Sequence, residues 1–391
     1  MKRLNTYLWG IFFVLCFLAC KKEKAPDPDD VFGTKEKITY EVNAPTGKLP
    51  WPQHAPAFSE REYQSMQDKL FILNNFGQYQ SGDAPNDTYL HAALDIMLAN
   101  GTPIYAVDSG FVRANIGGNQ FYRSLIIEDK NKAGEAWGYT HIYDFEVEVG
   151  DFVQQGQLLG KVNFHGLQHI HLSRFHRIDN GSWQRFDSFE EVQPDDFFFF
   201  EDAAPPVIET PFLFFEQFSN NQFKNDGLVK VNGKVDIVVG MRDVGAYANG
   251  TVPGNGGNYG NRLTVRKIRY QIKKGEDVLR EKESFDFGAL RVTPVENEAD
   301  QAFMIFKYHG LFFPDGVPNG WDRFVSHYII TNVDEQHQVY LPESDEQYWD
   351  TAELDENGQA IFPNGIYTIE VTAIDAKGNE RISSDQVVVE N

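Results

Sequence analysis

Six of the ten histidines in this chain fall between His91 and His176, at spacings that can do chemistry. His91-Ala92-Ala93-Leu94-Asp95 sets an imidazole and a carboxylate four positions apart, which puts both on one face of an extended strand and also works on a helix. His169-Ile170-His171 sets two imidazoles two apart, so that on a strand both point the same way, about 7 Å along the chain. His141 lies between these motifs, in Tyr139-Thr140-His141-Ile142. A zinc ion in a hydrolase takes three nitrogen or oxygen ligands and keeps one position for water, a need that two histidines and one aspartate meet. The bound water then ionises near neutral pH and attacks, while the metal polarises the scissile carbonyl. Further imidazoles beside such a centre can take the water's proton or hydrogen-bond the developing oxyanion. Cysteine is no competitor: the chain holds only Cys16 and Cys20, so any metal must rest on His, Asp or Glu.

The elements that would position these groups read as β structure. Ile104 to Val107 and Phe111 to Ala114 are short strands around an Asp108-Ser109-Gly110 turn. Ser124 to Glu128 and Trp137 to His141 are the arms of a hairpin whose polar tip runs from Asp129 to Glu135. Val147 to Val153 and Gly156 to Val162 are short strands broken by turn glycines. Phe32 to Leu90 reads as an irregular lead-in wrapping the first domain, with one short helix over Ser59 to Leu70. Beyond a linker at Glu201-Asp202-Ala203-Ala204-Pro205-Pro206 the pattern changes. Ile268, Tyr270 and Ile272, and later Tyr367, Ile369, Val371 and Ala373, alternate with polar residues, as in an antiparallel β-sandwich. The sandwich carries insertions, one being the Gly/Asn-rich loop from Gly245 to Asn261.

In chain order, His91-x-x-x-Asp95, Tyr139-x-His141, the run Val147-x-x-Gly150-Asp151-x-Val153-x-x-Gly156-x-x-Leu159-Gly160, and His169-x-His171 resemble the lysostaphin-type metallopeptidase family. That family includes the LytM-like cell-wall endopeptidases, and the resemblance covers about residues 88–175. It implies a mainly β peptidase domain built on a duplicated hybrid motif. It also implies zinc (Zn2+) held by His91, Asp95 and His171, with His141 and His169 as catalytic groups that do not bind the metal. The implied activity is zinc metalloendopeptidase, cleaving peptide cross-links in peptidoglycan. The implied substrate is a peptidoglycan stem peptide or a protein. The alternative is a non-hydrolytic LytM-like regulator or binding protein of the envelope. Three departures bear on the groove rather than on the zinc chemistry. Ala93 stands where the family often has Gly, His165-Gly166-Leu167-Gln168 shortens a glycine-rich approach, and Leu172-Ser173-Arg174 replaces a Phe-Glu continuation.

The formal net charge of −22 repels nucleic-acid phosphates and sets DNA and RNA binding aside. Met1-Lys2-Arg3, the apolar run Leu8 to Leu18 and Ala19-Cys20 fit a signal peptide. Phe17-Leu18-Ala19-Cys20 resembles a bacterial lipobox, which implies a lipid on Cys20 and a membrane lipoprotein of the cell envelope, periplasmic or surface-exposed. The organisation expected is a lipoprotein signal peptide over 1–19 and a flexible tether over 20–45. A lysostaphin-like metallopeptidase domain over 46–204 follows, then an immunoglobulin-like β-sandwich over 207–391 that folds independently and serves positioning or an unnamed partner. His54, His309, His327 and His337 read as structural, and His165 and His176 as loop or surface residues. Phe197-Phe198-Phe199-Phe200 reads as a packed seam between domains. Glu343-Ser344-Asp345-Glu346 reads as a solvated turn, since it lacks calcium-loop spacing.

Overall fold

A computed structural model describes residues 47–53, 72–80, 89–117, 123–163, 169–179, 181–185, 188–200, 202–244, 263–292, 305–307, 325–332 and 348–391. The expected signal peptide, Cys20, the tether, the Ser59 to Leu70 helix, His54, His165, His309, His337, the 245–261 loop and the 343–346 turn lie outside the described residues. The chain divides into Met1–Thr39 and Tyr40–Asn391, and the second unit holds all of the described residues.

Apolar runs set the central strands of the first half. β7 (Ser124–Asp129) is buried along its whole length and β8 (Glu135–Thr140) nearly so. Such strands have both faces covered and belong in the middle of a sheet. The observed order is β1 (Ile72–Asn74), β4 (Leu94–Met97), β12 (His169–Arg177), β8, β7, β6 (Gly110–Ile116) and β10 (Phe152–Val153), with β13 (Phe189–Val192) also paired to β12. A three-stranded sheet of β5 (Pro103–Tyr105), β11 (Leu158–Val162) and β9 (Ile142–Tyr143) shares its core. Leu94, Ile96, Leu125, Ile127, Tyr139, Ile170 and Leu172 of the large sheet pack there with Ile104, Leu159 and Val162. Two-residue periodicity does the rest. With Ile170 and Leu172 locked in the core, His169 and His171 must project from the opposite face, and Leu94 and Ile96 place Asp95 there too. A small ribbon of β2 (Gln78–Gln80) and β3 (Tyr89–His91) completes this half.

The second half is a two-sheet sandwich. One sheet is β14 (Val207–Ile208), β17 (Lys234–Arg242) and β15 (Leu213–Glu216), with β20 (Ser326–Ile329) and β21 (Trp349–Asp350) also paired to β17. The other is β16 (Val229–Val231), β23 (Glu380–Val389), β22 (Gly365–Ile374), β18 (Lys267–Lys274) and β19 (Asp277–Asp286). The alternating residues Ile268, Tyr270, Ile272, Tyr367, Ile369, Val371 and Ala373 all enter one core with Val235, Ile237 and Val239 of β17. That core also takes in Phe76, Tyr79, Leu90 and Ala92, which come from the first half of the chain.

The halves meet over a broad seam. Phe198 packs back into the first half's own core against Trp51, ring centres 4.5 Å apart, while across the seam the Lys377 ammonium sits 3.6 Å from the Phe200 ring centre. This is the packed role expected of the four-phenylalanine run. Arg266 Nη2 donates to Asp196 Oδ2 at 2.7 Å, and Glu191 and Val292 exchange backbone hydrogen bonds.

Candidate metal centre

Register brings the two motifs together. In the pairing of β12 with β4, His171 lies directly opposite Asp95. The His91-x-x-x-Asp95 segment is neither one strand nor a helix. It is broken at Ala92-Ala93, so that β3 pairs with β2 while β4 enters the large sheet. Both alanines are buried, and Ala93 has no accessible surface. The bend turns the two side chains toward each other: His91 Nε2 lies 3.0 Å from Asp95 Oδ2. His91 Nε2 lies 3.2 Å from His171 Nδ1, and His171 Nδ1 lies 3.0 Å from Asp95 Oδ1. His91, Asp95 and His171 thus each offer one ligand atom, all within 4.8 Å of one another.

The remaining histidines of the motifs surround this triad. His169 Nε2 is 3.6 Å from Asp95 Oδ1. The His141 ring centre is 4.6 Å from that of His169 and 6.0 Å from that of His171. His141 sits between β8 and β9 with φ +65°, a left-handed conformation uncommon for residues other than glycine. It is buried, whereas the His171 side chain keeps 24% of its surface and marks the open side of the cluster. All five residues singled out by spacing are therefore neighbours. His176 is exposed on β12, and His327 is half-buried in β20 with its imidazole pushed down to about 4 by desolvation.

Hydrogen bonding tests whether a cation fits. His91 Nδ1 faces the Asn75 carbonyl oxygen at 3.1 Å, and because a carbonyl only accepts, Nδ1 carries the proton. In a neutral imidazole Nε2 is then a lone pair aimed at a carboxylate and a second imidazole. Acceptors that converge on one point require a proton or a metal ion between them. Three ligands at zinc distances in tetrahedral array are about 3.3 Å apart, close to the separations seen here. The donor set fits zinc. Burial pushes the Asp95 carboxyl up, but the neighbouring His91, His169 and His171 imidazoles outweigh it and hold it well below the usual range. Burial pushes the His171 imidazole down, against the pull of Asp95. Both shifts favour the deprotonated forms that bind metal.

The family model of Peptidase family M23 matches residues 89–182, the stretch that spans all five side chains. That stretch of the chain is similar to Peptidase family M23. Among solved structures, the chain is similar to the catalytic domain of the antimicrobial peptidase lysostaphin from Staphylococcus simulans, at 20% identity and TM-score 0.25, over 29% of this chain and 85% of that one. It is also similar to LytU, at 28% identity and TM-score 0.24, over 27% of this chain and 74% of that one. A zinc-containing peptidase from Vibrio cholerae aligns at 17% identity and TM-score 0.26, over 33% of this chain and 36% of that one. Comparison with curated proteins gives no match.

Two residues of the site were not legible in the sequence. Asn74 Nδ2 donates to Asp95 Oδ2 at 2.5 Å, and Asn75 supplies the carbonyl that holds His91. Both lie in the segment read as an irregular lead-in. The Asn-Asn pair before Phe76-Gly77 signals a turn, but nothing in it points to the His91 and Asp95 motif.

Proposed function

We propose that the chain is a zinc metalloendopeptidase of the bacterial cell envelope that hydrolyses peptide cross-links in peptidoglycan. The observation that carries this reading is the convergence of His91 Nε2, Asp95 and His171 Nδ1 beside two further imidazoles. His91, Asp95 and His171 are the residues that would hold zinc, and zinc there supplies activation of water and polarisation of the scissile carbonyl. Asp95 keeps its negative charge inside the protein because the Asn74 amide donates to it and the imidazoles surround it. His169 shares a strand face with His171 and serves as proton acceptor and later donor to the leaving amine. His141, arriving from a separate strand end, donates a hydrogen bond to the oxyanion. A lipid on Cys20 tethers the enzyme to a membrane, and the immunoglobulin-like sandwich positions the peptidase on its substrate.

The test is digestion of purified peptidoglycan by the zinc-loaded mature protein, followed by mass spectrometry of the muropeptides. New amino termini within the cross-links are expected. An undigested polymer, with zinc bound at one per chain, overturns the reading in favour of a regulator or a peptidase of proteins.

A further inference from the structure

The ribbon that carries His91 is packed on the sandwich rather than on its own domain's core. Tyr79 and Leu90, at the middle of the ribbon's two strands, and Phe76 and Ala92 beside them are buried in the sandwich core. The Tyr79 ring lies 5.2 Å from that of Phe306. Gly77 adopts φ +78°, and a side chain there would meet the Phe287 ring at 2.3 Å, so the two halves touch at backbone distance. The Gly77 amide in turn donates to the His91 carbonyl at 2.7 Å.

One residue joins the sandwich to the imidazole itself. Asn75 Nδ2 donates to the Thr264 carbonyl at 2.9 Å, and the Thr264 amide donates back to Asn75 Oδ1 at 2.9 Å. This two-point clamp, buried and spanning 189 residues of chain, fixes the Asn75 backbone, whose carbonyl holds His91 Nδ1 at 3.1 Å. We propose that Asn75 is a positioning residue that makes the C-terminal sandwich a structural part of the metal centre, by holding the His91 ring through a clamp anchored on Thr264. The proposal rests on the zinc reading above. A ligating imidazole is oriented by whatever accepts its second N–H, and loss of such a partner costs about 10–100-fold in metal affinity or activity. Here the acceptor is a backbone carbonyl, so no side-chain substitution removes it directly. Its position depends instead on the Asn75 amide and on a domain remote in sequence.

The test measures zinc affinity of the full chain by competition with a chromophoric chelator, for wild type, Asn75→Ala and Ser284→Ala. Ser284 donates a buried hydrogen bond to the Ile330 carbonyl inside the sandwich, outside the Asn75–Thr264 clamp, and controls for loss of stability alone. Asn75→Ala is expected to weaken zinc binding by about 10–100-fold, with Ser284→Ala at the wild-type affinity. Asn75→Asp keeps the acceptor for the Thr264 amide and replaces only the donor. It serves if the alanine variant fails to fold, with an expected loss of about 10-fold. Zinc bound by wild type and by a folded Asn75 variant with equal affinity overturns the proposal and leaves the zinc reading standing. So does an equal loss in Ser284→Ala. Wild type that binds no zinc overturns both.

Discussion

His91 Nε2 and His171 Nδ1 face each other at 3.2 Å although 80 residues of chain separate them. With His91 Nδ1 committed to the Asn75 carbonyl, that contact is stable only with a proton or a cation between the rings. The purified mature protein is therefore expected to hold about one zinc per chain. Alanine at His91, Asp95 or His171 lowers zinc content and activity together. Chelation lowers the unfolding temperature of wild type, since a ligand bound only by the folded state stabilises it by mass action. Elemental analysis after remetallation, alongside calorimetry, checks both statements. A metal-free wild type with an unchanged midpoint refutes them.

Attachment to a membrane is expected to depend on Cys20. The apolar run from Leu8 to Leu18 is shorter than the roughly 20 residues a spanning helix needs, and it ends at Ala19-Cys20. Cys20→Ser is expected to accumulate as unprocessed precursor and to take up no fatty-acid analogue in cells. Labelling equal to that of wild type removes the lipoprotein assignment.

Stability is expected to decline between pH 4 and pH 7 through Asp195. This carboxyl is buried in the seam, and Oδ1 has no hydrogen-bond partner among the described residues. Burial pushes it from an ordinary 3.8 to about 7, with Arg266 opposing and Asp196 adding to the rise. Between these values the folded state binds the proton and the unfolded state does not. Stability therefore falls as pH rises from about 4 to about 7, and Asp195 adds no further slope above that. Asp195→Asn removes the charge, so it should flatten this slope and stabilise the protein by about 1–3 kcal/mol at pH 8. Urea unfolding at pH 5 and pH 8 measures it. A variant with the wild-type difference between the two pH values excludes Asp195 as the cause.

The parts of the site legible in the sequence are those set by strand periodicity. Ile170 and Leu172 enter the core, which fixes the direction of His169 and His171, and the hairpin ending at His141 falls where its polar tip predicts. The break at Ala92-Ala93 was not legible, because a spacing of four suits a strand, a helix or two strands meeting at a bend. Nor was the Asn74 and Asn75 contribution. β1 is three residues long, too short for a period, and its place is set by pairing with β4, while Asn75 just after it is held by a sandwich residue encoded almost two hundred residues later. The sheet that holds β18 and β22 was readable from alternation, but the intrusion of Phe76, Tyr79, Leu90 and Ala92 into the sandwich core was not.

Chemistry and metal binding are expected to separate at His141 and His169. Neither contributes an atom to the group of three converging donors, yet both rings border it. Replacing either is expected to leave zinc in place and to cost about 10²–10⁴-fold in single-turnover cleavage, the range for a general acid–base group or an oxyanion donor. The choice of substitution matters at His141. Its φ of +65° strains alanine by about 1–2 kcal/mol, whereas asparagine enters the left-handed region readily. His141→Asn therefore removes the imidazole with the backbone intact, and His169→Ala suffices on an ordinary strand. Zinc content and cleavage are measured on the same preparations. Loss of zinc from either variant, as complete as from His91→Ala, makes that residue a ligand. Normal turnover in both variants discards the proposed division of labour even with zinc bound.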